Sequence, residues 1–170
     1  GIIQTQLVGD YNLPNVLAAV CVGKHFGVPD EKIIAAIEQY IPSNSRSQWL
    51  ENGTNKIILD AYNANPSSMQ PAIENFARMK ATRKVLVLGA MAELGSNSRE
   101  EHARIIELIK QYAWTDVVLV GGDFLNVPHP FPVFEDARQA KEWLTQKQYQ
   151  NTLFLIKGSR SMQMENVLPF

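Results

Sequence analysis

Two hydrophobic patterns divide the chain into an opening helical segment and a longer segment of alternating strands and helices. The stretch "NLPNVLAAVCVGKHF" predicts a helix with proline in its first turn. A second helix is predicted by "DEKIIAAIEQYI", whose apolar face holds Ile33, Ile37, Tyr40 and Ile41. The first helix is apolar on nearly all sides, and packing of the two short helices against each other would cover only part of that surface. We therefore expect a further partner to cover the rest.

The pattern after residue 46 is typical of an α/β domain. "SQWLENGTNKIILDAY" predicts a hairpin with Asn-Gly in its turn region, and "KVLVL", "DVVLV", "FPVFE" and "NTLFLI" predict further strands. Helices are predicted from Pro66, from a capping box at Ser98–Glu101, and over residues 137–146. This alternation indicates a mostly parallel sheet with helices on both faces and an N-terminal hairpin.

Composition and charge exclude several classes of protein. Hydrophobic residues make up 45% of the chain and charged residues 19%, as in an ordinary globular protein. The net charge of -1 and the lack of a dense Lys/Arg block argue against nucleic acid as a partner. The apolar run from Val16 to Val22 is too short to span a membrane, and we expect a soluble cytoplasmic protein. Cys21 lies in that run and is expected to pack in the core.

Candidate chemistry follows the predicted strands. Ligands of open α/β sheets bind beyond the carboxyl ends of the strands, where this chain carries "DAYNANP", "GAMAELG", "GGDF" and "KGSR". "VGKH" is not a phosphate-binding loop, because it lacks the first glycine and has His25 where Ser or Thr is required. His25, His102 and His129 are not at metal-ligand spacing with acids, so we expect them to be ordinary helix or loop residues.

Five motifs in order carry a family resemblance. "GDYNLPNVLAA", "NSRSQ", "DAYNANPSSM", "LGAMAELG" and "KGSRSMQME" resemble segments of the Mur ligases, ATP-dependent amide-bond-forming enzymes of peptidoglycan synthesis. The resemblance implies that residues 46–170 form a C-terminal Rossmann-like domain and that residues 1–45 are the terminal helices of a central ATPase domain. Tyr11 stands where the family usually has His, and Ala90 where it has an acid; we assign Ala90 no role.

The resemblance also implies an activity for the whole enzyme. Such an enzyme of the bacterial cytoplasm would add D-alanyl-D-alanine to UDP-MurNAc-tripeptide through an acyl phosphate, with ATP and Mg²⁺ held mainly by the central domain. The N-terminal and central domains of the same protein are therefore expected partners, while nucleic acid and membrane are not. We assign no catalytic residue and no metal ligand to this chain, and we expect it to be inactive alone.

The resemblance assigns two groups of binding residues. The nucleotide-binding residues are Tyr11, Asn12, Arg46, Asp60 and Tyr62. The substrate-binding residues are Asn63, Asn65, Lys157, Ser159 and Arg160. A helix beginning near Ser161 would bring backbone N–H groups to the cations of "KGSR", which favours binding of the dipeptide carboxylate there.

Structural roles compete with several of these assignments. Asp60 is suited to capping a turn, and Asn12 and Asn65 are suited to capping helices. Arg46 fits a solvated position in a polar connector, and Lys157 and Arg160 fit surface charges beside a glycine turn.

Other functions remain open at the level of sequence. A stand-alone nucleotide-binding or regulatory module with doubly wound topology is compatible with the pattern. Another Mur-like ligase, such as a folylpolyglutamate ligase or a meso-diaminopimelate-adding ligase, is a second alternative, although "YNANP" with "KGSR" argues against both. An interaction domain that uses the apolar first helix is a third.

Overall fold

The computed structural model describes residues 2–169 and contains a six-stranded sheet with helices on both faces. The strands are β1 (Gln48–Asn52), β2 (Asn55–Asp60), β3 (Arg83–Gly89), β4 (Asp116–Val120), β5 (Val133–Phe134) and β6 (Thr152–Lys157). The helices are α1 (Leu13–His25), α2 (Asp30–Gln39), α3 (Pro66–Arg78), α4 (Ser98–Ile109) and α5 (Ala137–Gln146). Within residues 2–169, no helix has the length and apolar character needed to cross a membrane.

The sheet has the strand order β1-β2-β6-β3-β4-β5. β1 pairs with β2 in antiparallel orientation, and all the other pairs are parallel. The predicted mostly parallel sheet with an N-terminal hairpin is therefore confirmed. The hairpin turns at Gly53 and Thr54, between the paired residues Asn52 and Asn55, and Gly53 supplies the positive φ of 60° that a tight turn needs.

Alternation along the strands builds two separate cores. Successive side chains of a strand point to opposite faces, so Val85 and Val87 pack on one face of the sheet while Leu86 and Leu88 pack on the other. Helices α3 and α4 cover the Leu86 face, and α5 covers the Val85 face together with the C-terminal turns. Burial on both faces explains why these strands are continuous apolar runs.

The two opening helices form as predicted, but their surfaces differ from expectation. α1 packs against α2 and buries only Val16 of its own residues. The prediction that Cys21 is buried is wrong: Val16 is the buried residue of α1, and Cys21 is exposed. Tyr40 and Ile41 do not continue the apolar face of α2, because the helix ends at Gln39, and both are exposed.

Two helix starts also differ from prediction. α4 has no capping box, because a short 3-10 turn over Gly95–Asn97 precedes it and makes Ser98 its first residue. The helix expected near Ser161 is replaced by two 3-10 turns, Arg160–Met162 and Met164–Val167, separated by Gln163 in the left-handed conformation. Within the described residues 161–169, no α-helix therefore follows the "KGSR" loop.

Candidate functional site

A cleft of about 770 Å³ lies between the opening helices and the carboxyl ends of β2 and β6. Most of the residues predicted to bind ligand line it: Tyr11, Asn12, Arg46, Asp60, Tyr62, Asn63, Asn65 and Lys157. Apolar side chains of the opening segment, among them Leu7, Val16 and Ile37, complete the wall. The cleft thus joins residues from the two segments that the sequence pattern separates.

Strand register brings the two charges at the base of the cleft together. Asp60 ends β2 and Lys157 ends β6, and the two residues are direct partners in the parallel pairing. The Lys157 ammonium lies 2.6 Å from Oδ2 of Asp60, with only 2% of the lysine side chain and 15% of the aspartate side chain exposed. Lys157 also donates a hydrogen bond to the Asn63 carbonyl at 3.2 Å.

Ser47, in the connector before β1, binds the other oxygen of Asp60. Its backbone N–H donates to Oδ1 at 2.9 Å, and its hydroxyl lies 3.5 Å from the same atom. The backbone adopts positive φ at Asn44, Ser45 and Ser47, a conformation that costs energy in residues other than glycine. Clusters of such residues mark functional sites. The sequence reasoning missed Ser47, whose only signal was its place beside Arg46.

Arg46 and Tyr62 stack at the mouth of the cleft. The guanidinium carbon lies 3.5 Å from the centre of the Tyr62 ring, within the range of a cation–π contact. Tyr62 is 45% exposed, and its backbone N–H donates to the Ser45 carbonyl at 3.2 Å. The stack therefore places the arginine, the exposed cation of the connector, against the β2–α3 loop.

Tyr11 reaches across the cleft from the opening segment. Its hydroxyl lies 3.5 Å from the Ser47 hydroxyl. Burial raises the pKa of the Tyr11 phenol above its ordinary value; the Ser47 hydroxyl opposes this shift and the charge of Asp60 adds to it. The phenol is therefore neutral near pH 7. Gly9, at φ 91°, permits the ring position, since a Cβ there would lie 2.3 Å from the ring.

The asparagines of the site have local partners. Asn12 does not cap α1 with its side chain; its amide donates to the Val8 carbonyl at 2.8 Å. Asn65 does cap α3, accepting from the Ser68 N–H at 2.9 Å in a reciprocal capping box. The Asn63 side chain accepts from the Ala64 N–H. Asn65 therefore has the structural role that its position before Pro66 suggests, and it also lines the cleft.

Ser159 and Arg160 do not line the cleft. Ser159 is buried, and its hydroxyl accepts from the Ala92 N–H at 2.7 Å and donates to the Ala64 carbonyl at 3.1 Å. It therefore ties together the loops that follow β2, β3 and β6. The Arg160 side chain is 65% exposed and pairs with Glu165 at 2.7 Å. Lys157 and Arg160 thus lie in different environments although they are three residues apart.

The chemistry of the cleft suits a polar organic ligand. Asp60 offers carboxylate oxygens to hydroxyl groups, Arg46 offers a planar cation to anions, and Tyr11 and Tyr62 offer ring faces. Among residues 2–169, no group of three or more His, Cys, Asp or Glu side chains is placed to hold a metal ion. His102 instead accepts from the Met91 N–H at 3.1 Å, and His129 contacts the Phe124 carbonyl at 2.9 Å.

The fold and the cleft define an α/β protein with a ligand site at the carboxyl edge of its sheet. Comparison with known sequences shows that the chain belongs to the Mur ligase family. The sequence profile described as "Mur ligase, glutamate ligase domain" matches residues 45–160. The chain is 31% identical over 176 aligned residues to UDP-N-acetylmuramoyl-tripeptide--D-alanyl-D-alanine ligase of Treponema pallidum, covering 98% of this chain and 38% of that protein. The chain therefore spans well under half the length of this relative.

Solved structures show the same likeness. The fold matches a crystal structure of MurF from Acinetobacter baumannii with a TM-score of 0.86 and 27% identity, over 99% of this chain and 39% of that one. It also matches MurF ligase from Thermotoga maritima, solved in complex with ADP, with a TM-score of 0.81 and 25% identity over 95% of this chain and 38% of that one.

Proposed function

We propose that this chain is the C-terminal part of an ATP-dependent ligase of the bacterial cytoplasm, which adds D-alanyl-D-alanine to UDP-MurNAc-tripeptide. In this proposal residues 46–170 are the C-terminal domain and residues 1–45 are the terminal helices of the central ATPase domain. The observation that carries the proposal is the cleft, which gathers Tyr11, Arg46 and Asp60 from both segments in one place. The similarity to the Treponema pallidum protein, which is named as a ligase of this kind, supports the proposal.

The cleft would hold the nucleoside part of ATP. Its volume of about 770 Å³ is within the usual range for small-molecule sites. Asp60 would accept hydrogen bonds from ribose hydroxyls, Tyr11 and Asn12 would lie beside the adenine, and Arg46 would reach a phosphate. Tyr62 would hold Arg46 in place by stacking. No residue of this chain is assigned to Mg²⁺, since the acidic side chains of residues 2–169 do not converge.

The reaction needs two substrates held in order. Transfer of the γ-phosphoryl group of ATP to the tripeptide carboxylate gives an acyl phosphate and ADP. The amine of D-alanyl-D-alanine then attacks the acyl carbon, and phosphate leaves. We propose that this chain positions the amine through the side chains of Asn63, Asn65 and Arg160, which follow β2 and β6 at the carboxyl edge of the sheet. The buried Ser159 would support them by tying the loops together, and would not contact the amine.

Product formation by the full-length protein tests the proposed function. We expect ATP hydrolysis that depends on both UDP-MurNAc-tripeptide and D-alanyl-D-alanine, and a product heavier by the dipeptide less one water. Parallel reactions that supply D-glutamate, meso-diaminopimelate or L-glutamate as the amine, the last with dihydrofolate as the carboxylate substrate, measure the other ligase activities. Ligation of one of those amino acids in place of the dipeptide would contradict the proposal.

Arg160 tests the acceptor side of the proposal. An arginine fork matches a carboxylate well, so we expect Arg160→Ala to lower kcat/KM for the dipeptide by about 2 kcal/mol, with the ATP KM nearly unchanged. The matched control is Arg104→Ala, because the Arg104 side chain is 64% exposed and also pairs with glutamates. A raised ATP KM with an unchanged dipeptide KM would instead assign the loop to the nucleotide.

Tyr62 tests the nucleotide side of the proposal. The stack on Arg46 is partly exposed, and such contacts contribute about 0.5 to 1 kcal/mol. We therefore expect Tyr62→Ala to raise the ATP KM about two- to fivefold, while Tyr62→Phe, which keeps the ring, leaves it unchanged. Steady-state kinetics on the full-length protein measures both. Equal effects of the two variants would show that the hydroxyl, and not the stack, is what matters.

A further inference from the structure

The Lys157 ammonium is buried between protein acceptors at the base of the cleft. It lies 2.6 Å from Asp60 Oδ2 and 3.2 Å from the Asn63 carbonyl oxygen, with 2% of the side chain exposed. A lysine has three N–H donors, so these two contacts use most of its capacity. The sequence-based expectation that Lys157 receives the acceptor carboxylate therefore competes with a second role.

A carboxylate brought to this ammonium would lie beside the carboxylate of Asp60. Two like charges sharing one buried cation repel each other strongly at low dielectric, and the incoming carboxylate would also lose its hydration. Arg160 also pairs with a carboxylate, that of Glu165, but its side chain is 65% exposed, so water and salt screen the repulsion between two carboxylates there. An anionic acceptor is therefore better received by Arg160 than by Lys157.

The Asp60 carboxylate, in contrast, is fixed from both sides. Ser47 donates its backbone N–H to Oδ1 at 2.9 Å while Lys157 donates to Oδ2, so the plane and direction of the carboxylate are set by two different segments. A carboxylate accepts about four hydrogen bonds, and these contacts leave acceptor capacity on its cleft-facing side. Lys157 also holds the Asn63 carbonyl and so anchors the loop that follows Asp60.

We propose that Lys157 is a positioning residue for the nucleotide, which holds the Asp60 carboxylate and the Asn63 carbonyl in place and does not contact the acceptor dipeptide. This inference rests on the proposed function, because it takes Asp60 as the group that binds the ribose. It changes the role of Lys157 from substrate contact to support of another residue. Its effect should therefore appear in nucleotide affinity and should depend on Asp60.

Nucleotide affinity and acceptor kinetics of the full-length protein separate the two roles. We expect Lys157→Gln to weaken ADP binding about tenfold in calorimetry and to leave the dipeptide KM within about twofold. Combined with Asp60→Asn, it should add little to the loss that Asp60→Asn causes alone. The control is Lys84→Gln, which removes a partly buried lysine at the amino end of β3, where its ammonium contacts the Ala77 carbonyl.

Three results would overturn the inference. A raised dipeptide KM with unchanged ADP affinity would make Lys157 an acceptor contact. Additive losses in the double variant would make it independent of Asp60, and an equal loss in Lys84→Gln would make the effect one of general stability. If the full-length protein binds ADP but does not ligate the dipeptide, the proposed function fails. The ADP affinities of the single and double variants would still show whether Lys157 acts through Asp60.

Amine labelling of the wild-type protein provides a test without substitution, should Lys157→Gln fail to fold. A positioning lysine paired with Asp60 should react slowly with acetic anhydride, at a rate that D-alanyl-D-alanine does not change. Lys24, which is 57% exposed, provides the reference for a reactive lysine. Rapid labelling of Lys157 that the dipeptide suppresses would contradict the inference.

Discussion

Replacement of Asp60 by alanine is expected to lower the free energy of unfolding of the chain by about 3 to 5 kcal/mol. The reason is the environment of Lys157, whose side chain is 2% exposed and would keep a buried charge without its partner. Such a loss is a large share of the stability of an ordinary domain. Urea unfolding of the 170-residue chain, followed by the fluorescence of its three tryptophans, measures it.

Two further variants isolate the cause. Asp30→Ala removes the partner of Lys24 from an ion pair whose side chains are 57% and 65% exposed, so its cost should stay below about 1 kcal/mol. Adding Lys157→Met to Asp60→Ala removes the unpaired charge and should restore at least half of the lost stability. An Asp60→Ala chain as stable as Asp30→Ala would refute the buried ion pair.

In the proposed full-length ligase, Asp60 is also expected to contribute to nucleotide binding. Asp60→Asn keeps the size of the side chain but weakens it as an acceptor for ribose hydroxyls, so we expect the ATP KM to rise by the equivalent of about 1 to 3 kcal/mol. The dipeptide KM should change by less than about twofold. Steady-state kinetics with each substrate varied in turn measures both constants.

Asp116 provides the control for this substitution. It begins β4 at the opposite edge of the sheet, where it accepts from the Tyr149 hydroxyl at 2.7 Å and lies 3.9 Å from Lys147. Asp116→Asn therefore weakens a comparable hydrogen bond away from the cleft and should leave the ATP KM unchanged. An unchanged ATP KM in Asp60→Asn would return Asp60 to a purely structural role.

Local signals in the sequence were enough to predict most of the fold. The predicted helix at residues 137–146 matches α5 at both ends, because Asp136 caps its first turn and its apolar spacing is regular. Asn65 before Pro66 predicted the start of α3 in the same way. Helix caps and apolar spacing involve residues only a few positions apart, so they can be recognised in a single sequence.

The errors have causes that lie outside the local sequence. Cys21 was predicted to be buried because α1 is apolar on most sides, and no periodicity indicates which side finds a partner. The start of α4 was misplaced because a 3-10 turn supplies the preceding backbone, so Ser98 does not act as a cap. Exposed Leu13, Leu17 and Phe26 show how much of the opening segment's apolar surface this chain leaves uncovered.

The candidate site was predicted in part, because the carboxyl ends of parallel strands meet at one edge. The burial of Lys157 could not be predicted in this way, since it depends on pairing with a residue 97 positions away. The role of Ser47 depends on a positive φ in the connector, which serine does not signal. The motifs therefore predicted which residues line the site. The contacts that hold those residues in place depend on long-range pairing and backbone conformation, and could not be predicted.

We propose that a nucleotide occupies the cleft between the opening helices and the sheet edge. Hydrogen exchange of the full-length protein with and without ADP tests it, because Asn12, Ser47 and Tyr62 line the cleft on three segments and their backbone N–H groups are hydrogen-bonded. We predict that ADP slows exchange in peptides covering residues 9–12, 45–47 and 60–63, and leaves residues 112–117 at the opposite edge unchanged. Binding of ADP without slower exchange in any of the three segments would contradict the claim.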